Sequence, residues 1–547
     1  MEYILLGLFS LAVFIFIIKS HYHWTYFFAI NLFVCFFSLM LALTGQWQRA
    51  LNFASVLYVV LMLFHRLKIH YYKQPLLMSD FIVAFDWRNW STLWQYKASL
   101  FAVLGLLGLL GYAVFGWSHV ASFGMTSHLI GAGLTVLTIA LMWHYSKDPH
   151  VLSVWLDSLP HDGDVFFNLP MSCRGVFFKV PQFEGDSAYF QQKAAALSPY
   201  AKREDKPDIV VWLLESTLNP HYFDIQSAPL PPIKMFEKQP DTAYYSPLRV
   251  HTFGGATWKS EFAFLAGVPA TDFGSSSNAV FYSVAPHLQC SLLKSLKRQG
   301  YYCVALTPCT KGNYNANVAY EALGFDLILQ PQELGYPAAI TTNLWDIPSA
   351  ELAVYVKKVL QKQGIPSLEH IDKPLFVYTL TMKEHGPYKA DVEDKFQLKD
   401  NGFNSASTSA LNDYIQRMAE LSAAIEDFNQ FMQTRNRPYV LGYFGDHQVE
   451  MLGRNIPKKW DYDQPDYVTQ AAVRTNLSGY VPQQEFMDLA LFGGLLMEIA
   501  GLEADEFMQA NIAMRRLTQG KLQDCEDKTL LAGYRNYLYH QLNIAGN

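Results

Sequence analysis

The chain has 547 residues, which is enough for more than one folded unit because domains commonly contain about 100–200 residues. Charged residues make up 16% of the chain and hydrophobic residues 51%, whereas soluble proteins carry roughly 25% charged residues. The net charge of −6 offers no positive field to nucleic acid and argues against DNA or RNA binding. The composition indicates a membrane protein.

Residues 1–145 contain most of the apolar runs and are predicted to form a transmembrane domain of about five helices. A helix needs about 20 apolar residues to cross a bilayer. The first run begins at Tyr3 without a basic region or a small-residue cleavage site, so we expect a retained anchor rather than a signal peptide. The predicted spans are 3–18, 24–44, 50–65, 98–117 and 129–144, of which the third and fifth are short.

The basic residues of the loop between the third and fourth spans bear on orientation. By the rule that Lys and Arg stay cytoplasmic, this loop and the C-terminal region would face the cytoplasm. Residues 75–87 of the same loop can form an amphipathic segment at the membrane interface, which weakens the use of its basic residues to assign orientation. The five basic residues are Arg66, Lys68, Lys73, Arg88 and Lys97.

The six cysteines do not define the compartment. Cys35 lies in a predicted span, and no pair shows the CxxC spacing of a cysteine zinc site. Two states of the cysteines fit this pattern: disulfides in an oxidising compartment, or buried free thiols. The other five are Cys173, Cys290, Cys303, Cys309 and Cys525.

Residues 146–205, rich in proline, are predicted to form an extended connector with a helix near 187–197. Residues 206–547 then alternate strand-length apolar runs with helical patterns. Such runs predict an α/β domain whose mainly parallel sheet is covered by helices on both faces. The predicted strands are 208–215, 301–308, 374–382 and 439–446, and the predicted helices include 288–300 and 410–433.

Two predicted strands end on polar side chains that suit a divalent metal. Glu215 ends the strand that begins at Asp208, and Asp446 and His447 follow the strand that begins at Tyr439. Ligand sites of α/β sheets form beyond the carboxyl ends of strands, where these side chains can meet. Carboxylate oxygens and an imidazole nitrogen form a typical metal site, although each motif alone also fits an ordinary surface or capping residue.

A third motif supplies a hydroxyl. Gly254 and Gly255 precede Ala256 and Thr257 in a segment predicted to turn from loop into helix. Free N–H groups at a helix N-terminus favour an alkoxide and a bound phosphate. Thr257 is therefore a candidate nucleophile, and a simple N-cap role is the alternative.

The order of these motifs resembles the alkaline phosphatase/sulfatase superfamily. Within it, the pattern is similar to the membrane-anchored branch of lipoteichoic acid synthases, phosphoglycerol transferases and lipopolysaccharide phosphoethanolamine transferases. The resemblance implies that Glu215, Thr257, Asp446 and His447 bind one Mn²⁺ or Zn²⁺ and that Thr257 is transiently phosphorylated. It also implies that His385, in TMKEHGPY, lies near the transferred group and binds a phosphoryl oxygen or protonates a leaving alkoxide.

The sequence departs from lipoteichoic acid synthases where their arginine grips glycerol phosphate. Tyr314 and Asn315 match that motif, but Ala316 replaces the arginine, and Lys311 is the candidate substitute. A nearby motif, NLWDIPSAEL, resembles the family segment at the mouth of the site. It contributes Trp345 and Asp346 as supporting substrate-binding candidates, with core packing as the alternative role of the tryptophan.

These features predict a multi-pass protein of the bacterial inner membrane whose catalytic domain faces the periplasm. The expected donor is phosphatidylethanolamine or phosphatidylglycerol, and the expected acceptor is a glycan or lipopolysaccharide. We expect transfer of phosphoethanolamine, because the arginine that binds glycerol phosphate is missing. Phosphoglycerol transfer to a periplasmic glucan or teichoic-type polymer, a phosphodiesterase or sulfatase-like hydrolase, and a silent scaffold remain as alternatives.

Overall fold

The computed structural model divides the chain into two compact units, Met1–Phe177 and Phe178–Asn547. Each unit has its own secondary structure and its own core, and each is described separately. The described residues are 23–72, 74–90, 101, 104–109, 111–112, 124–158, 164–173, 178–389, 391–398, 405–449, 456–479 and 486–546.

The first unit is helical in its described part. Three of its described helices are long and apolar enough to cross a membrane, namely His23–Thr44, Trp47–His70 and Met125–Tyr145. They match the predicted spans 24–44, 50–65 and 129–144, whereas span 3–18 and most of span 98–117 lie outside the described residues. The helices are α1 (His23–Thr44), α2 (Trp47–Tyr72), α3 (Met78–Phe85), α4 (Met125–Tyr145), α5 (Pro149–Ser158) and α6 (Val165–Ser172).

The α1 and α4 helices pack closely through small residues. Ser38 Oγ and Thr135 Oγ1 share a hydrogen bond of 2.8 Å between the two helices. A Cβ atom at Gly131 would lie only 2.5 Å from the backbone nitrogen of Ala42, so this position requires glycine. Small residues at such a contact let apolar helices approach each other, as is common in membranes.

The predicted connector, residues 146–205, is more helical than its prolines indicated. It contains α5, α6 and a third helix, α7 (Ser187–Ala195), at the position of the predicted helix 187–197. Aspartate side chains begin two of these helices, because Asp164 accepts a hydrogen bond from Phe166 N and Asp186 accepts one from Ala188 N. N-caps of this kind stabilise short helices even where proline is frequent.

The second unit is built on one eight-stranded sheet. Its strands are β1 (Asp208–Leu214), β2 (Thr242–Arg249), β3 (Tyr302–Leu306), β4 (Leu327–Leu329), β5 (Leu375–Leu380), β6 (Tyr439–Gly445), β7 (Val468–Thr475) and β8 (Met487–Asp488). Their order across the sheet is β4-β3-β5-β1-β6-β7-β2-β8. The first five strands in this order, β4 to β6, run parallel to one another, whereas β7 is antiparallel to both β6 and β2. The four predicted strands correspond to β1, β3, β5 and β6.

Helices cover both faces of this sheet. Along β1, Ile209, Val211 and Leu213 pack into one apolar core, and Val210 and Trp212 pack into the core on the opposite face. The predicted helix 410–433 is part of α14, which packs against the second face. The helices are α8 (Thr257–Ala266), α9 (Val280–Ser283), α10 (Leu292–Arg298), α11 (Ala316–Leu323), α12 (Ser349–Gln361), α13 (Pro366–Glu369), α14 (Ser405–Thr434), α15 (Leu489–Ile499), α16 (Glu506–Leu517) and α17 (Lys528–Asn536).

The predicted fold class, helices with membrane-span character followed by an α/β domain with a mainly parallel sheet, is confirmed. The sequence left open whether the cysteines form disulfides or stay as free thiols, and in the structure they are free thiols. All six are free, and Cys303 and Cys309 are buried within the α/β unit. Burial raises the pKa of both thiols, so they are expected to stay protonated and unreactive at neutral pH.

We predict that Gly131→Leu destabilises the helical unit, because a Cβ atom at this position would lie 2.5 Å from Ala42 N, closer than non-bonded atoms approach. Overpacking of this kind costs about 1–3 kcal/mol. A lower melting temperature in detergent, measured by intrinsic fluorescence, would show it. Gly133 lies on the same helix with nothing within 4 Å of its ideal Cβ position, so Gly133→Leu is the matched control and should melt like the unchanged protein. Equal melting temperatures for both variants would contradict the packing described here.

Candidate active site and metal centre

The site lies where β1 and β6 end side by side. The two strands are parallel neighbours, with Leu214 paired to Gly445, so the residues that follow them leave the sheet at the same level. Glu215 follows β1, and Asp446 and His447 follow β6. Backbone hydrogen bonds hold the strand ends together, because Asp446 N donates to Leu214 O at 3.2 Å.

The three side chains converge on one buried point. His447 Nε2 lies 3.3 Å from Glu215 Oε1 and 3.4 Å from Asp446 Oδ2. One ligand atom from each residue lies within 4.8 Å of the other two. Glu215 is 1% exposed, Asp446 0% and His447 2%, so these polar side chains are removed from water.

Two polar atoms at this point have no hydrogen-bond partner among the described residues, Asp446 Oδ2 and His447 Nε2. The other atoms of these side chains are engaged: Asp446 Oδ1 accepts hydrogen bonds from Ser216 N and His447 N, both at 2.8 Å. His447 Nδ1 lies 3.0 Å from Gln448 O, which can only accept, so Nδ1 carries the proton. Nε2 then presents a lone pair beside two carboxylates, a donor set that fits a divalent cation.

The electrostatics of the cluster also favour a cation. Burial and the neighbouring Glu215 carboxylate raise the pKa of Asp446 to about 8. Burial raises the pKa of Glu215 as well, but the contact with protonated His447 outweighs burial and holds that pKa at about 2. Without a metal, the two carboxylates raise the pKa of His447 to about 9, so Nε2 takes up a second proton at neutral pH. A divalent cation would replace that proton at Nε2 and stabilise both carboxylates.

The structure places Thr257 at this cluster. Its Oγ1 donates a hydrogen bond of 3.0 Å to Glu215 Oε2, and the side chain is half-buried. Thr257 is the first residue of α8, as predicted, and Ala256 before it has left-handed backbone angles of φ 63° and ψ 44°. This turn places the Thr257 hydroxyl beside the Glu215 carboxylate and at the N-terminus of α8, the end of a helix that favours negative charge.

Two further contacts fix the Thr257 loop against the end of β6. Gly254 N donates to Gln448 O at 3.2 Å, and Ser260 Oγ donates to Asp446 O at 2.6 Å. Glu215 is fixed in turn by the segment after β5, because its backbone N–H donates to Thr381 Oγ1 at 3.1 Å. Sequence analysis did not single out Ser260 and Thr381, although both lie in the motif segments around Thr257 and His385, because their contacts are with residues distant in sequence.

His385 lies in the loop after β5 and faces the same site. The ring centroids of His385 and Trp345 are 5.2 Å apart, and both side chains are half-buried. The charge of His385 also lowers the pKa of Glu215, by less than the charge of His447 does. Asp346 is exposed, with 91% of its side chain in solvent and Lys383 Nζ at 3.5 Å. The predicted mouth residues therefore lie beside the predicted histidine.

The remaining substrate-binding candidates lie farther along the edge of the sheet. Tyr314 packs with Trp258, the residue after Thr257, at a centroid distance of 5.6 Å. Asn315 Nδ2 donates to Phe281 O at 3.0 Å, which fixes the start of α11. Lys311 Nζ pairs with Glu333 at 2.9 Å, so its charge is already matched. This ion pair weakens the expectation that Lys311 substitutes for the missing arginine.

Glu261 is a buried site neighbour that the sequence patterns did not single out. It lies one helical turn beyond Thr257, a spacing that could have identified it. Its Oε1 accepts hydrogen bonds from the hydroxyls of Tyr320 and Tyr378, the latter at 3.0 Å. Burial raises the pKa of Glu261 to about 7, so the carboxyl is partly neutral near physiological pH.

Comparison with known proteins identifies the family. Residues 207–477 match the model of the Sulfatase family. The α/β unit of the chain therefore carries a Sulfatase-family domain. The predicted resemblance to sulfatase-like enzymes is thereby confirmed.

Relatives of this chain include one of nearly equal length. An uncharacterized protein of Haemophilus influenzae is 61% identical over 548 residues, with 99% of each chain covered. A putative cyclic beta-1,2-glucan modification protein of Rhizobium meliloti is 25% identical over 44% of this chain and 36% of its own length. Among solved structures, the Streptococcus pyogenes phosphoglycerol transferase GacH in complex with sn-glycerol-1-phosphate has a TM-score of 0.52 at 16% identity, covering 68% of this chain and 99% of that chain.

We predict that the purified protein binds one divalent cation per chain and that Asp446→Ala loses it. Removing one of two buried carboxylates takes away a ligand and half of the negative charge that the cation would neutralise. Metal analysis by plasma mass spectrometry after dialysis would show the loss. Asp346→Ala removes an exposed carboxylate from the same region and is the matched control, for which we expect unchanged metal content. Equal metal content in both variants would contradict the assignment.

Proposed function

We propose that the protein is a membrane-anchored, metal-dependent phosphotransferase. In this proposal it moves phosphoethanolamine from a membrane phospholipid to an envelope glycan such as the lipopolysaccharide core. One observation carries the proposal: the Thr257 hydroxyl donates to Glu215 at the edge of the Glu215, Asp446 and His447 cluster. A hydroxyl at a helix N-terminus beside buried metal-ligand types is the arrangement of a covalent phosphotransferase.

Glu215, Asp446, His447 and Thr257 Oγ1 would hold the cation, Mn²⁺ or Zn²⁺. When bound, such an ion supplies stabilisation of the negative charge on the phosphoryl oxygens. Glu215 Oε2 orients the Thr257 oxygen through their hydrogen bond of 3.0 Å and accepts its proton. The first turn of α8 directs N–H groups toward the transferred phosphate.

The reaction proceeds in two displacements at phosphorus. Thr257 Oγ1 forms a bond to the phosphorus of the donor, the bond to the diacylglycerol oxygen breaks, and His385 protonates that oxygen as it leaves. An acceptor hydroxyl then attacks the same phosphorus while neutral His385 takes its proton, and the bond to Thr257 breaks. Thr257 recovers its proton from Glu215, so each atom and proton returns to its starting place.

The residues at the mouth favour phosphoethanolamine as the transferred group. Ala316 stands where lipoteichoic acid synthases place the arginine that binds glycerol phosphate. The exposed carboxylate of Asp346, near Trp345 and His385, suits the ammonium of an ethanolamine head group. Phosphoglycerol is the second candidate, because the sheet domain is similar in fold to a phosphoglycerol transferase.

The proposed setting is the bacterial inner membrane, with the catalytic domain in the periplasm. Helices α1, α2 and α4 support membrane anchoring, since each is long and apolar enough to span a bilayer. Anchoring confines the site near a water-insoluble donor and raises its effective concentration. The basic residues of the loop 66–97 favour a catalytic domain in the cytoplasm. We propose the periplasm because the phospholipid donor and the glycan acceptor are both found on that side of the membrane.

We predict that Thr257→Ala lowers transfer by at least about 10³-fold, because removal of a nucleophile abolishes covalent catalysis. The assay supplies detergent-solubilised protein with phosphatidylethanolamine or phosphatidylglycerol labelled in the head group, together with lipopolysaccharide. Label on the glycan is then measured. Thr257→Ser keeps a hydroxyl and should retain part of the activity, and the exposed Thr271→Ala serves as the matched control.

The distribution of label separates the candidate functions. Ethanolamine label on the glycan is the expected result, and glycerol label would support the second candidate. Label released only as a free phosphate ester would indicate a hydrolase. Undiminished transfer by Thr257→Ala would contradict the covalent mechanism for either head group.

A further inference from the structure

A buried arginine holds the backbone that bears His385. Arg417 belongs to α14 and is 6% exposed. Its Nη1 donates to the carbonyl oxygens of Lys383 and His385 at 2.8 and 2.9 Å, and its Nη2 donates to Pro387 O at 3.3 Å. One guanidinium therefore binds three carbonyls of a single loop, residues 383–389, which we name the histidine loop.

Asp413 completes this contact from one helical turn away on α14. Its Oδ2 accepts from Arg417 Nη2 at 2.6 Å and from the backbone N–H of Lys389 at 2.9 Å. The same carboxylate thus neutralises the arginine and anchors the far end of the histidine loop. The Arg417 side chain also lies over the ring of Tyr388 at 5.0 Å, and the Tyr388 hydroxyl donates to Glu384 O at 2.8 Å.

This set of contacts requires the shape of arginine. The planar guanidinium presents several N–H groups in fixed directions, so it can bind three carbonyls and a carboxylate at once. The ammonium of a lysine has three donors on one nitrogen and cannot span the same acceptors. The buried Arg417 side chain is expected to fix the backbone of the histidine loop. If the loop moved away, its buried carbonyls would lose their hydrogen bonds, which costs free energy.

We propose that Arg417 is the positioning residue of His385 and that Asp413 aligns it. The proposal rests on the proposed function, in which His385 transfers protons to and from the oxygens of donor and acceptor. The imidazole is half exposed and packs beside Trp345, so its place opposite Glu215 depends on the backbone that Arg417 holds. Placement within about 1 Å matters, because a shift of that size can cost about 100-fold in rate.

The first test needs no activity. Hydrogen–deuterium exchange is measured on the full-length protein in detergent, comparing Arg417→Lys with the unchanged chain. We expect faster exchange of the amides in residues 383–389 and unchanged exchange in β1 and β6. Unchanged protection of the histidine loop would overturn the proposal.

Arg474→Lys is the matched control. Arg474 is a buried arginine on β7, 4% exposed, that pairs with Asp241 and with Glu426 of α14. Its replacement removes a guanidinium of similar burial and also disturbs α14, but it leaves the histidine loop untouched. The exchange of residues 383–389 should therefore stay at the level of the unchanged protein, and an equal rise in both variants would also overturn the proposal.

The second test is a double-mutant cycle on transfer. We expect Arg417→Lys to lower kcat by about 10–100-fold with little change in KM, and to lower it less than about 2-fold further in a His385→Ala background. An equal factor in both backgrounds would show a structural role independent of His385. If the unchanged protein transfers no head group, the proposed function fails, and the exchange experiment alone decides the role of Arg417.

Discussion

The structure depends on the burial of two carboxylates and an imidazole between the ends of two parallel strands. Glu215 and Asp446 are brought together by backbone pairing of β1 and β6, not by attraction between their side chains. Two carboxylates without water repel each other strongly, and His447 alone cannot neutralise both. The arrangement is stable where additional positive charge enters the cluster, which is why we assign a divalent cation to it.

The surrounding fold serves this cluster by bringing one group from each neighbouring segment. The N-terminus of α8 supplies the Thr257 hydroxyl, and the segment after β5 supplies Thr381, which holds Glu215, and His385. On the other side of that loop, α14 binds its carbonyls through Arg417. Thr257 and His385 thus belong to different segments but lie at the same strand ends, an arrangement that can hold two groups at a fixed separation.

Much of this organisation could be predicted from local sequence. Apolar strands that end at Glu215 and Asp446 identify a sheet edge. The helical spacing of apolar residues over 410–433 identifies a buried helix, and the paired glycines before Thr257 identify the turn. Arg417 could not be found in this way, because its partners lie about 30 residues away in a loop and are backbone atoms, which no residue type encodes. The connector contains two helices that its prolines did not indicate, α5 and α6, and α6 begins after the N-cap Asp164.

The central claim is that Thr257, activated at the cation site, carries the transferred group. The most direct measurement is mass spectrometry of the peptide that contains Thr257, after the full-length protein is mixed with phosphatidylethanolamine and quenched in acid. The account predicts a phosphoethanolamine adduct on Thr257 that disappears when a chelator is added before the lipid. A stable, active protein that never shows an adduct on Thr257, or that forms one equally well with the chelator present, would contradict it.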